Sequence, residues 1–588
     1  MDPSPAPEPL PEGTPAVPKL AHSLTLSSGA VFAAALIVQL LGLVATFFLA
    51  RHIGYTTEGI ALLGTAQLFL LIASSINGLA DLRLGTAYTY FLARGKPPRD
   101  NTTTYLGVGM AMDAAACLVI FVLAPAVVGG SIDYGTSEWL DLGLFLMLPI
   151  LWSFSGLYNS MYIGLGNSLK AQYPSLVEAV VRLSALIYVA FNVHSIEGIA
   201  IAYVLGATAS TLFSLPALLP RFSKFRWSEA RLMFAFSWPL MGSLFINYIV
   251  TNLTPFIVVG LSTEQLSIYL AANGWRVLVL SVPAAVTTPL FPYLAGLHRQ
   301  KSFEALRQST WQALRYSAML IVPGVVALVT YRFNFLDVFQ NRLYAGPGAL
   351  PLAILVVGAL PLALSQIIQS AINAIGRQRL ELYITTTQVV VLIVAVAILL
   401  PENGIFPIFW HIIPANLDPG LVAASVAVLL SSIAALALNT YFMERLIRVH
   451  IRPGPILAIT FSAALSFASL WFLNHLHYYS VDTWYQLLGA VFLGYAVYFV
   501  VLAGVGELTR SDVRSIGASI GLPAGLYRPI TRLCWKESTP GLPPVDLSTA
   551  RGLQTTELPE TFTGTREFPE TLPISEVEPP KKPDEPPK

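Results

Sequence analysis

Charged residues are scarce in this sequence. Only 11% of its 588 residues are Asp, Glu, Lys or Arg, against about 25% in soluble domains, while hydrophobic residues make up 55%. This balance excludes an ordinary water-soluble enzyme. The apolar residues recur in runs of about 20 residues, which is the length of helix that crosses a bilayer. The sequence therefore predicts a polytopic membrane protein.

Motifs for enzymatic chemistry are missing as well. The sequence has no phosphate-binding Gly-x-x-x-x-Gly-Lys motif, its 8 histidines lack the spacing of metal ligands, and its 2 cysteines do not suggest a disulfide framework. The predicted outer loops are too short for the outer domain that a membrane glycosyltransferase ordinarily needs. We therefore expect a transporter rather than an enzyme, with no metal and no other cofactor.

The apolar runs predict an all-α fold with about 14 transmembrane helices. Each run is continuously apolar, whereas the strands of a membrane barrel alternate and are about ten residues long. The predicted spans lie near 23–50, 60–80, 104–128, 140–164, 172–192, 198–219, 232–259, 265–291, 312–331, 347–375, 382–400, 420–441, 454–474 and 484–505.

The basic residues predict the orientation of these helices, because Lys and Arg are retained on the cytoplasmic side of a membrane. If the N-terminus is cytoplasmic, most of the 34 basic residues fall in cytoplasmic loops and tails. The predicted outer loops hold only Arg51, Arg332 and Arg342. Both termini are therefore expected in the cytoplasm, with an even number of spans.

The predicted helices and tails divide the chain into six segments. The tails are rich in Pro and Glu and lack the apolar content of a core, so we expect them to be disordered. The juxtamembrane segment is expected to place an amphipathic helix on the inner surface over 507–534. The segments are a cytoplasmic N-terminal tail (1–22), an N-lobe of six helices (23–220), a C-lobe of six helices (221–441), an extra helix pair (442–506), a basic juxtamembrane segment (507–536) and a Pro-rich cytoplasmic tail (537–588).

Two short stretches of sequence recur at nearly the same offset. Gly54–Ile60 resembles Gly260–Leu266 at an offset of 206 residues, and Gly166–Tyr173 resembles Gly376–Tyr383 at an offset of 210. Both members of each pair fall on the same predicted side of the membrane. The matches favour two six-helix repeats in parallel orientation with a central cavity between them. Coincidence among common loop residues is the alternative.

Four ionisable residues lie well inside the predicted spans, namely Asp113, Glu178, Arg182 and Arg276. A charge that faces lipid costs a few kcal/mol or more, so these side chains are expected to face the protein interior or a wet cavity. The helical rise places Arg182 and Arg276 about 15 Å deep, one in each lobe. Glu178 and Arg182 can also form a purely structural pair, whereas Arg276 has no acidic neighbour in its helix. Asp113 is either a proton-coupling group or a hydrogen-bonded interior acid.

Two motifs accompany this architecture. Gly78-Leu-Ala-Asp-Leu-Arg-Leu-Gly-Thr-Ala87 closes the second span, and Gly54-x-x-x-Glu-Gly59 follows the first. Together with the two repeats and the extra helix pair, they resemble the polysaccharide biosynthesis flippases of the multidrug/oligosaccharidyl-lipid/polysaccharide exporter superfamily, over about 23–505. The long Pro-rich tail departs from that pattern.

The resemblance implies two helix bundles arranged in a V around a cationic central cavity. The implied substrate is an oligosaccharide on a polyprenyl diphosphate, which moves from the cytoplasmic to the outer leaflet. As in the lipid II flippases of the superfamily, the last helix pair is expected to form a groove for the lipid tail.

The predicted function is therefore a flippase that works by alternating access in the plasma (inner) membrane. Arg276 and Arg182 are the predicted ligands of the diphosphate, and Arg83 is a third candidate. Glu178 and Asp113 are predicted to form charge pairs or to couple transport to a proton or sodium gradient. The expected partners are the lipid-linked oligosaccharide, membrane lipids and, through the C-terminal tail, glycan-assembly proteins. No nucleic-acid partner is expected.

Two other functions fit the sequence less well. A cation-coupled multidrug or metabolite antiporter of the same superfamily shares the twelve-helix core, but the deep arginines and the extra helix pair count against it. A membrane scaffold acting through the Pro-rich tail is the third reading. Deletion of residues 537–588 separates them, because a scaffold loses its function and a flippase keeps most of it.

Overall fold

The computed structural model describes most of the chain. The described residues are 18–82, 84–93, 98–128, 136–165, 167–259, 261–299, 301–400, 418–449, 453–475, 481, 483–510, 512–513 and 534. The helices lie in one compact unit, His22–Val545. The second unit, Met1–Ala21 with Asp546–Lys588, lies outside the described residues except for the start of the first helix. The predicted disordered tails therefore fall almost wholly outside the described residues.

Eighteen α-helices follow one another in the described residues. They are α1 Pro18–His52, α2 Thr57–Ala80, α3 Leu84–Ala93, α4 Pro98–Val128, α5 Thr136–Leu146, α6 Leu148–Gly164, α7 Ser168–Ala171, α8 Tyr173–Asn192, α9 Ile196–Leu218, α10 Trp227–Val259, α11 Thr263–Arg299, α12 Phe303–Thr330, α13 Arg332–Phe339, α14 Arg342–Ala374, α15 Gln378–Leu399, α16 Pro419–Ile447, α17 Pro453–His475 and α18 Trp484–Val505. A 3-10 helix, Leu219–Arg221, follows α9.

Each predicted span coincides with a helix, and the span near 140–164 coincides with two consecutive helices, α5 and α6. The described residues contain no strand, which confirms the all-α fold. Within them, 12 helices are long and apolar enough to cross a membrane. The apolar part of α1, Leu36–His52, is shorter, and α10 is not among the 12. The count of 14 spans therefore stays a prediction.

Three short helices lie where the sequence predicts loops. α3 has 10 residues, α7 has 4 and α13 has 8, so none is long enough to cross a bilayer. α13 packs against α14 and buries Phe335 and Leu336, although it lies in a predicted outer loop. A search for apolar runs of about 20 residues misses such helices, because their apolar faces are only one or two turns long.

The predicted repeat has a structural counterpart at the starts of α2 and α11. The Thr56 hydroxyl accepts a hydrogen bond from the Gly59 N–H at 3.0 Å, and the Ser262 hydroxyl accepts one from the Gln265 N–H at 3.1 Å. Each cap satisfies a backbone donor that the first helical turn leaves without a partner. The two caps are separated by the predicted offset of 206 residues. This match supports the parallel repeat, while the boundaries of the two lobes stay a prediction.

The chain that follows the last helix returns to α12 through a buried ion-pair cluster. The Arg315 side chain is 1% exposed, and it pairs with Glu507 at 2.8 Å and with Asp512 at 3.0 Å. Tyr316 donates a hydrogen bond to Asp512 at 2.7 Å, and the Thr509 N–H donates another at 3.1 Å. Charges can be buried here because each has partners of opposite sign or hydrogen bonds.

This cluster changes two expectations about the cytoplasmic side. The orientation rule counts Arg315 among the loop residues, whereas its side chain is buried in the helix bundle. Leu508 and Val513, predicted to lie on a surface helix, are buried in a cluster with residues of α12, α17 and α18. The described part of the segment folds inward because Arg315 offers its two acidic residues a buried partner.

Replacement of Arg315 tests how much this cluster contributes to the free energy of unfolding. Arg315→Ala is expected to lower the free energy of unfolding by about 3–5 kcal/mol, because two carboxylates stay buried without a cation. The measurement is denaturant unfolding of the full chain in mild detergent. Glu304→Ala is the matched control, since Glu304 pairs with Arg307 at 3.2 Å but has a side chain 84% exposed. Equal effects of the two variants would contradict the prediction.

Candidate functional site

Arg276 is a half-buried cation for which the described residues supply no acidic partner. It lies on α11, and its Nη1 atom donates a hydrogen bond to the Asn273 side-chain oxygen at 3.2 Å. Its Nε–H is buried and has no hydrogen-bond partner. The ion pairs seen among the described residues do not include it. Most of the five N–H donors of this guanidinium therefore remain available to an anion.

Glu178 and Arg182 form an ion pair on α8. Arg182 Nη1 lies 2.8 Å from Glu178 Oε1, and the Trp152 indole N–H of α6 donates to the same oxygen at 3.2 Å. The Arg182 Cζ atom lies 5.2 Å from the centroid of the Tyr203 ring, which adds a cation–π contact. The structure thus brings the two predicted residues together, as a pair whose charges already have partners.

The Arg182 stem is fixed by the close approach of α9. A Cβ atom at Gly206 would lie 2.9 Å from the Arg182 Cβ, so a side chain at this position would displace the arginine. Among the described residues, no contact joins Arg182 to Arg276. Tyr203 of α9, whose ring contacts Arg182, and Ala271 of α11 line the same small cavity of about 40 Å³.

Asp113 is buried on α4, with 3% of its surface exposed. One carboxyl oxygen accepts a hydrogen bond from the Ser153 hydroxyl of α6, and the other is buried without a partner. The described part of the chain supplies no cation to it. A buried charge requires partners, so this environment fits the protonated carboxyl better than the carboxylate.

Arg83 lies outside the described residues, so its role stays a prediction. The motif around it forms the turn between α2 and α3. Asp81 Oδ1 accepts hydrogen bonds from the Tyr105 hydroxyl at 2.8 Å and from the Gly85 N–H at 3.3 Å. A Cβ atom at Gly85 would lie 2.8 Å from the Ser160 hydroxyl oxygen, so glycine allows α3 to approach α6. These Asp and Gly residues of the motif have structural roles.

An apolar groove of about 590 Å³ opens between α1, α11, α12, α13 and α18. Its described lining residues include no charged side chain. Trp275 lines the groove, and the next residue on α11 is Arg276, which is not itself part of the lining. The aromatic residues of the wall are Phe47, Phe48, Trp275, Phe335, Phe339, Trp484 and Tyr495.

The predicted outer ends of α1 and α14 are tied together by side chains. Arg51 Nη1 donates a hydrogen bond to the Val338 carbonyl at 2.9 Å. Asn341 Nδ2 donates to the carbonyls of Ala50 and Gly54 at 2.8 and 2.7 Å. These bonds join the first helix of the chain to the α13–α14 connection, almost 300 residues later. We call this set the outer closure.

Two glycines permit the close approach of helices at the outer closure. A Cβ atom at Gly54 would lie 2.9 Å from the Tyr344 hydroxyl oxygen. A Cβ atom at Gly64 of α2 would lie 1.8 Å from the Thr263 carbonyl oxygen, at the start of α11. Any larger residue at Gly64 would force the two backbones apart. The closed arrangement therefore depends on residues without side chains.

Sequence analysis did not assign a role to Arg51, Trp275 or Asn341. Arg51 carried a signal, since it is one of the three basic residues in the predicted outer loops. Asn341 carried another, because its side-chain oxygen caps α14 by accepting the Leu343 N–H at 2.9 Å, as expected of Asn at a helix start. No sequence signal pointed to a role for Trp275, because its contacts come from elements that are remote in sequence.

Comparisons with known proteins bear on this site and fold. The family model described as "Polysaccharide biosynthesis protein" matches residues 98–345. The lipid II flippase MurJ, solved in an inward closed conformation, is similar with a TM-score of 0.63 and 13% identity, over 80% of this chain and 97% of that chain. The family match agrees, over residues 98–345, with the resemblance predicted from the sequence. No curated protein matches the sequence.

Multidrug transporters share the fold with the polysaccharide biosynthesis family. An inward-facing MATE family transporter of the MOP superfamily aligns with a TM-score of 0.55 and 14% identity, over 70% of this chain and 94% of that chain. The MATE multidrug transporter DinF-BH aligns with a TM-score of 0.51 and 15% identity, over 76% of this chain and 97% of that chain. These similarities show the fold, and the 12 long apolar helices indicate a multi-pass membrane protein.

Removal of the Asn341 side chain is expected to loosen the outer closure. Asn341→Ala loses the two hydrogen bonds to the carbonyls of Ala50 and Gly54, worth about 1–3 kcal/mol together, as well as the cap of α14, and it shifts the population toward a state that is open on this side. The measurement is the distance distribution between spin labels at Tyr55 and Leu343, which are both exposed. The control is Asn192→Ala, because Asn192 donates only within its own helix, to Tyr188. An unchanged distribution in Asn341→Ala would contradict the assignment.

Proposed function

We propose that this protein translocates a polyprenyl-diphosphate-linked oligosaccharide from the cytoplasmic to the outer leaflet of the plasma membrane, for polysaccharide or glycan assembly. One juxtaposition carries the proposal. Arg276 follows the groove residue Trp275 on α11, it is half-buried, and the described residues give it no acidic partner. A lipid-linked diphosphate has the complementary arrangement, an anion at the end of a long apolar chain. The polysaccharide biosynthesis family match supports the same substrate class.

The physical task of such a protein is to move a charged headgroup across hydrocarbon. Removal of water from a diphosphate is prohibitively costly unless other donors replace the lost hydration. A guanidinium can donate two parallel hydrogen bonds to phosphate oxygens, and it keeps its charge in a buried site. Arg276 has donors available for this purpose.

Arg182 and Arg83 have secondary places in this proposal. Arg182 already shares its charge with Glu178, so it assists a phosphate only if the pair rearranges or if the guanidinium uses its remaining donors. Arg83 follows the second predicted span at its cytoplasmic end, where an entering headgroup would first meet the protein. We propose both as contacts of the diphosphate before it reaches Arg276.

Transport then proceeds by alternating access between the two predicted lobes. The headgroup crosses at their interface while the polyprenyl chain stays in the bilayer or in the apolar groove. The outer closure must break before the headgroup can leave. The outer closure has only a few hydrogen bonds. A substrate that binds the open state more tightly than the closed state by a few kcal/mol is therefore enough to break it.

Replacement of Arg276 is the first test of the proposed function. Arg276→Gln is expected to slow translocation at least about tenfold, because one charge-assisted contact with the diphosphate is worth about 1.5–3 kcal/mol. The full chain is reconstituted in vesicles with a polyprenyl diphosphate that carries a short glycan. Translocation is measured as the appearance of the glycan to a membrane-impermeant lectin.

The control for this test neutralises the other buried arginine together with its partner. The double variant Glu178→Gln/Arg182→Gln removes both charges and leaves an acceptor for the Trp152 indole N–H. Because Arg182 is proposed as a secondary contact, the double variant is expected to slow translocation less than Arg276→Gln does. Retention of the full rate by Arg276→Gln would contradict the proposed function, whatever the double variant does.

We further propose that Asp113 couples transport to a proton gradient. Its geometry, with one hydroxyl donor and one unpartnered oxygen, lets it bind and release a proton when its surroundings change during transport. Asn is nearly isosteric with Asp and can still accept the Ser153 hydrogen bond without titrating. Glu178, which is paired with Arg182, is the weaker candidate.

The coupling proposal predicts a response to an imposed pH gradient. The translocation rate of the wild-type chain is expected to change with the gradient, and Asp113→Asn is expected to abolish that change while the chain stays folded. Vesicles with a sodium gradient at constant pH are the comparison. A wild-type rate that follows sodium and ignores pH would exclude Asp113 as the coupling group.

The antiporter of the same superfamily is the second candidate, and the fold shared with multidrug transporters favours it. The two functions differ in their ligands. Native mass spectrometry of the protein, gently extracted from its own membrane, should retain a lipid-linked glycan that is lost in Arg276→Ala. Retention of a small organic cation instead would favour the antiporter and would leave the buried arginines with structural roles.

A further inference from the structure

Among the described residues, Asn273 is the side chain that holds the Arg276 guanidinium. Arg276 Nη1 donates a hydrogen bond to Asn273 Oδ1 at 3.2 Å, across three positions of α11. Helical side chains extend toward the N-terminus of their helix, so the guanidinium reaches the turn that carries Asn273. A guanidinium can only donate, so the amide oxygen, and not the amide nitrogen, faces it. The group that orients Arg276 is therefore a neutral acceptor.

Arg182 and Arg315 are oriented by carboxylates instead. Arg182 pairs with Glu178 at 2.8 Å, and Arg315 pairs with two carboxylates at 2.8 and 3.0 Å. A carboxylate and an amide oxygen accept the same kind of hydrogen bond, but only the carboxylate brings a negative charge. The charges of Arg182 and Arg315 are therefore compensated within the fold, whereas the partner of Arg276 leaves its charge in place.

The acidic residue of α11 lies too far away to compensate Arg276. Glu264 is in the first turn of the helix, 12 positions earlier, which corresponds to about 18 Å along the helix axis. The amide nitrogen of Asn273 forms no hydrogen bond with the described residues, so its donors stay available as well. The free donors of Asn273 and Arg276 therefore lie side by side, at a site with a positive charge.

A neutral acceptor meets two requirements that conflict with each other. An arginine in apolar surroundings extends toward water unless a partner holds it, and a carboxylate partner compensates the charge that an anion needs. An amide holds the guanidinium without this compensation. Asn and Asp have nearly the same size and shape, so packing at position 273 does not distinguish between them. The choice of the amide therefore concerns charge.

We propose that Asn273 is the positioning residue of the anion site: its amide oxygen holds the Arg276 guanidinium in place and leaves the positive charge to the phosphate groups of the substrate. The inference rests on the proposed function for the identity of the anion, the diphosphate of a lipid-linked glycan. A carboxylate at position 273 would turn Arg276 into a structural pair of the kind that Glu178 and Arg182 form.

The nearly isosteric variant Asn273→Asp tests this role. The full-length protein is placed in nanodiscs of zwitterionic phospholipid, and a labelled polyprenyl diphosphate with a short glycan is titrated into them. Asn273→Asp is expected to raise the half-saturating concentration about tenfold or more, because the charge of Arg276 is then compensated within the helix. An unchanged half-saturating concentration would overturn the proposal.

Asn273→Ala separates the effect of charge from the effect of orientation. This variant loses the acceptor but keeps the charge of Arg276, so the half-saturating concentration is expected to rise only about two- to fivefold. The carboxylate should therefore weaken binding more than truncation of the whole side chain does. A larger effect of Asn273→Ala than of Asn273→Asp would overturn the proposal, since it would show that the amide acts only through packing.

The free energy of unfolding distinguishes positioning from a structural role. An acidic and a basic residue three positions apart stabilise a helix, so Asn273→Asp is expected to be as stable as the wild-type chain or more stable. Loss of stability in parallel with loss of binding would show a structural role instead. If Asn273→Asp folds poorly, Asn273→Gln serves in its place. It keeps a neutral amide on a longer stem and should bind the ligand more tightly than Asn273→Ala, and equal binding by the two would count against the amide.

Asn252→Asp is the matched control for a new carboxylate in a membrane helix. Asn252 is also half-buried, on α10, and its described hydrogen bond goes to the Tyr248 carbonyl of its own helix at 3.2 Å. This variant is expected to change the half-saturating concentration less than about twofold, because no arginine is its described partner. An effect equal to that of Asn273→Asp would contradict the specific link to Arg276.

A double variant shows whether Asn273 acts through Arg276. In the Arg276→Gln background, Asn273→Asp should add less than about a twofold change, because no guanidinium is left to compensate. A full effect in that background would show that the carboxylate repels the ligand directly, and it would overturn the positioning role. Failure of this inference differs from failure of the proposed function. Slow translocation by Arg276→Gln with normal binding by Asn273→Asp leaves the flippase standing and removes only the role of Asn273.

Discussion

The structure depends on one constraint, which is the cost of an unpaired charge in apolar surroundings. The charge of Arg315 is compensated by two carboxylates, and the charge of Arg182 is compensated by Glu178 and an aromatic ring. Asp113 has a single hydroxyl donor, which suits its neutral form. Only Arg276 is left without such compensation in the described residues. The constraint therefore separates charges that are paired within the fold from Arg276, for which the described residues show no counter-charge.

The cost of an unpaired charge also explains how the last helix of the extra pair is held against the rest of the bundle. α18 supplies one wall of the apolar groove, and the chain that follows it is held on α12 by the Arg315 cluster. α12 supplies another wall of the groove. Two of the five walls are thus held together by buried ion pairs at one end of their helices.

Sequence patterns predicted the helices well because each membrane helix needs a long apolar run, which is a local property. They also predicted the Glu178–Arg182 pair, since its members are four residues apart on one helix. They missed α13, whose eight residues are too few for such a run. The contact of Arg51 with Val338 spans 287 residues, and no local pattern encodes it. The resemblance implied a groove at the last helix pair, but the residues that line the groove are brought together by contacts of this second kind, so only the structure identifies them.

The Arg315 cluster also has a consequence for the order of synthesis. Glu507 follows Arg315 by 192 residues, so α12 leaves the ribosome long before its counter-charges exist. Until Glu507 and Asp512 have been synthesised, the Arg315 side chain must remain at the membrane surface, in water or among lipid phosphates. Final seating of α12 is therefore one of the last steps of assembly. A chain that stops short of Glu507 would carry a membrane helix with a permanent uncompensated charge, a form that cellular quality control can recognise.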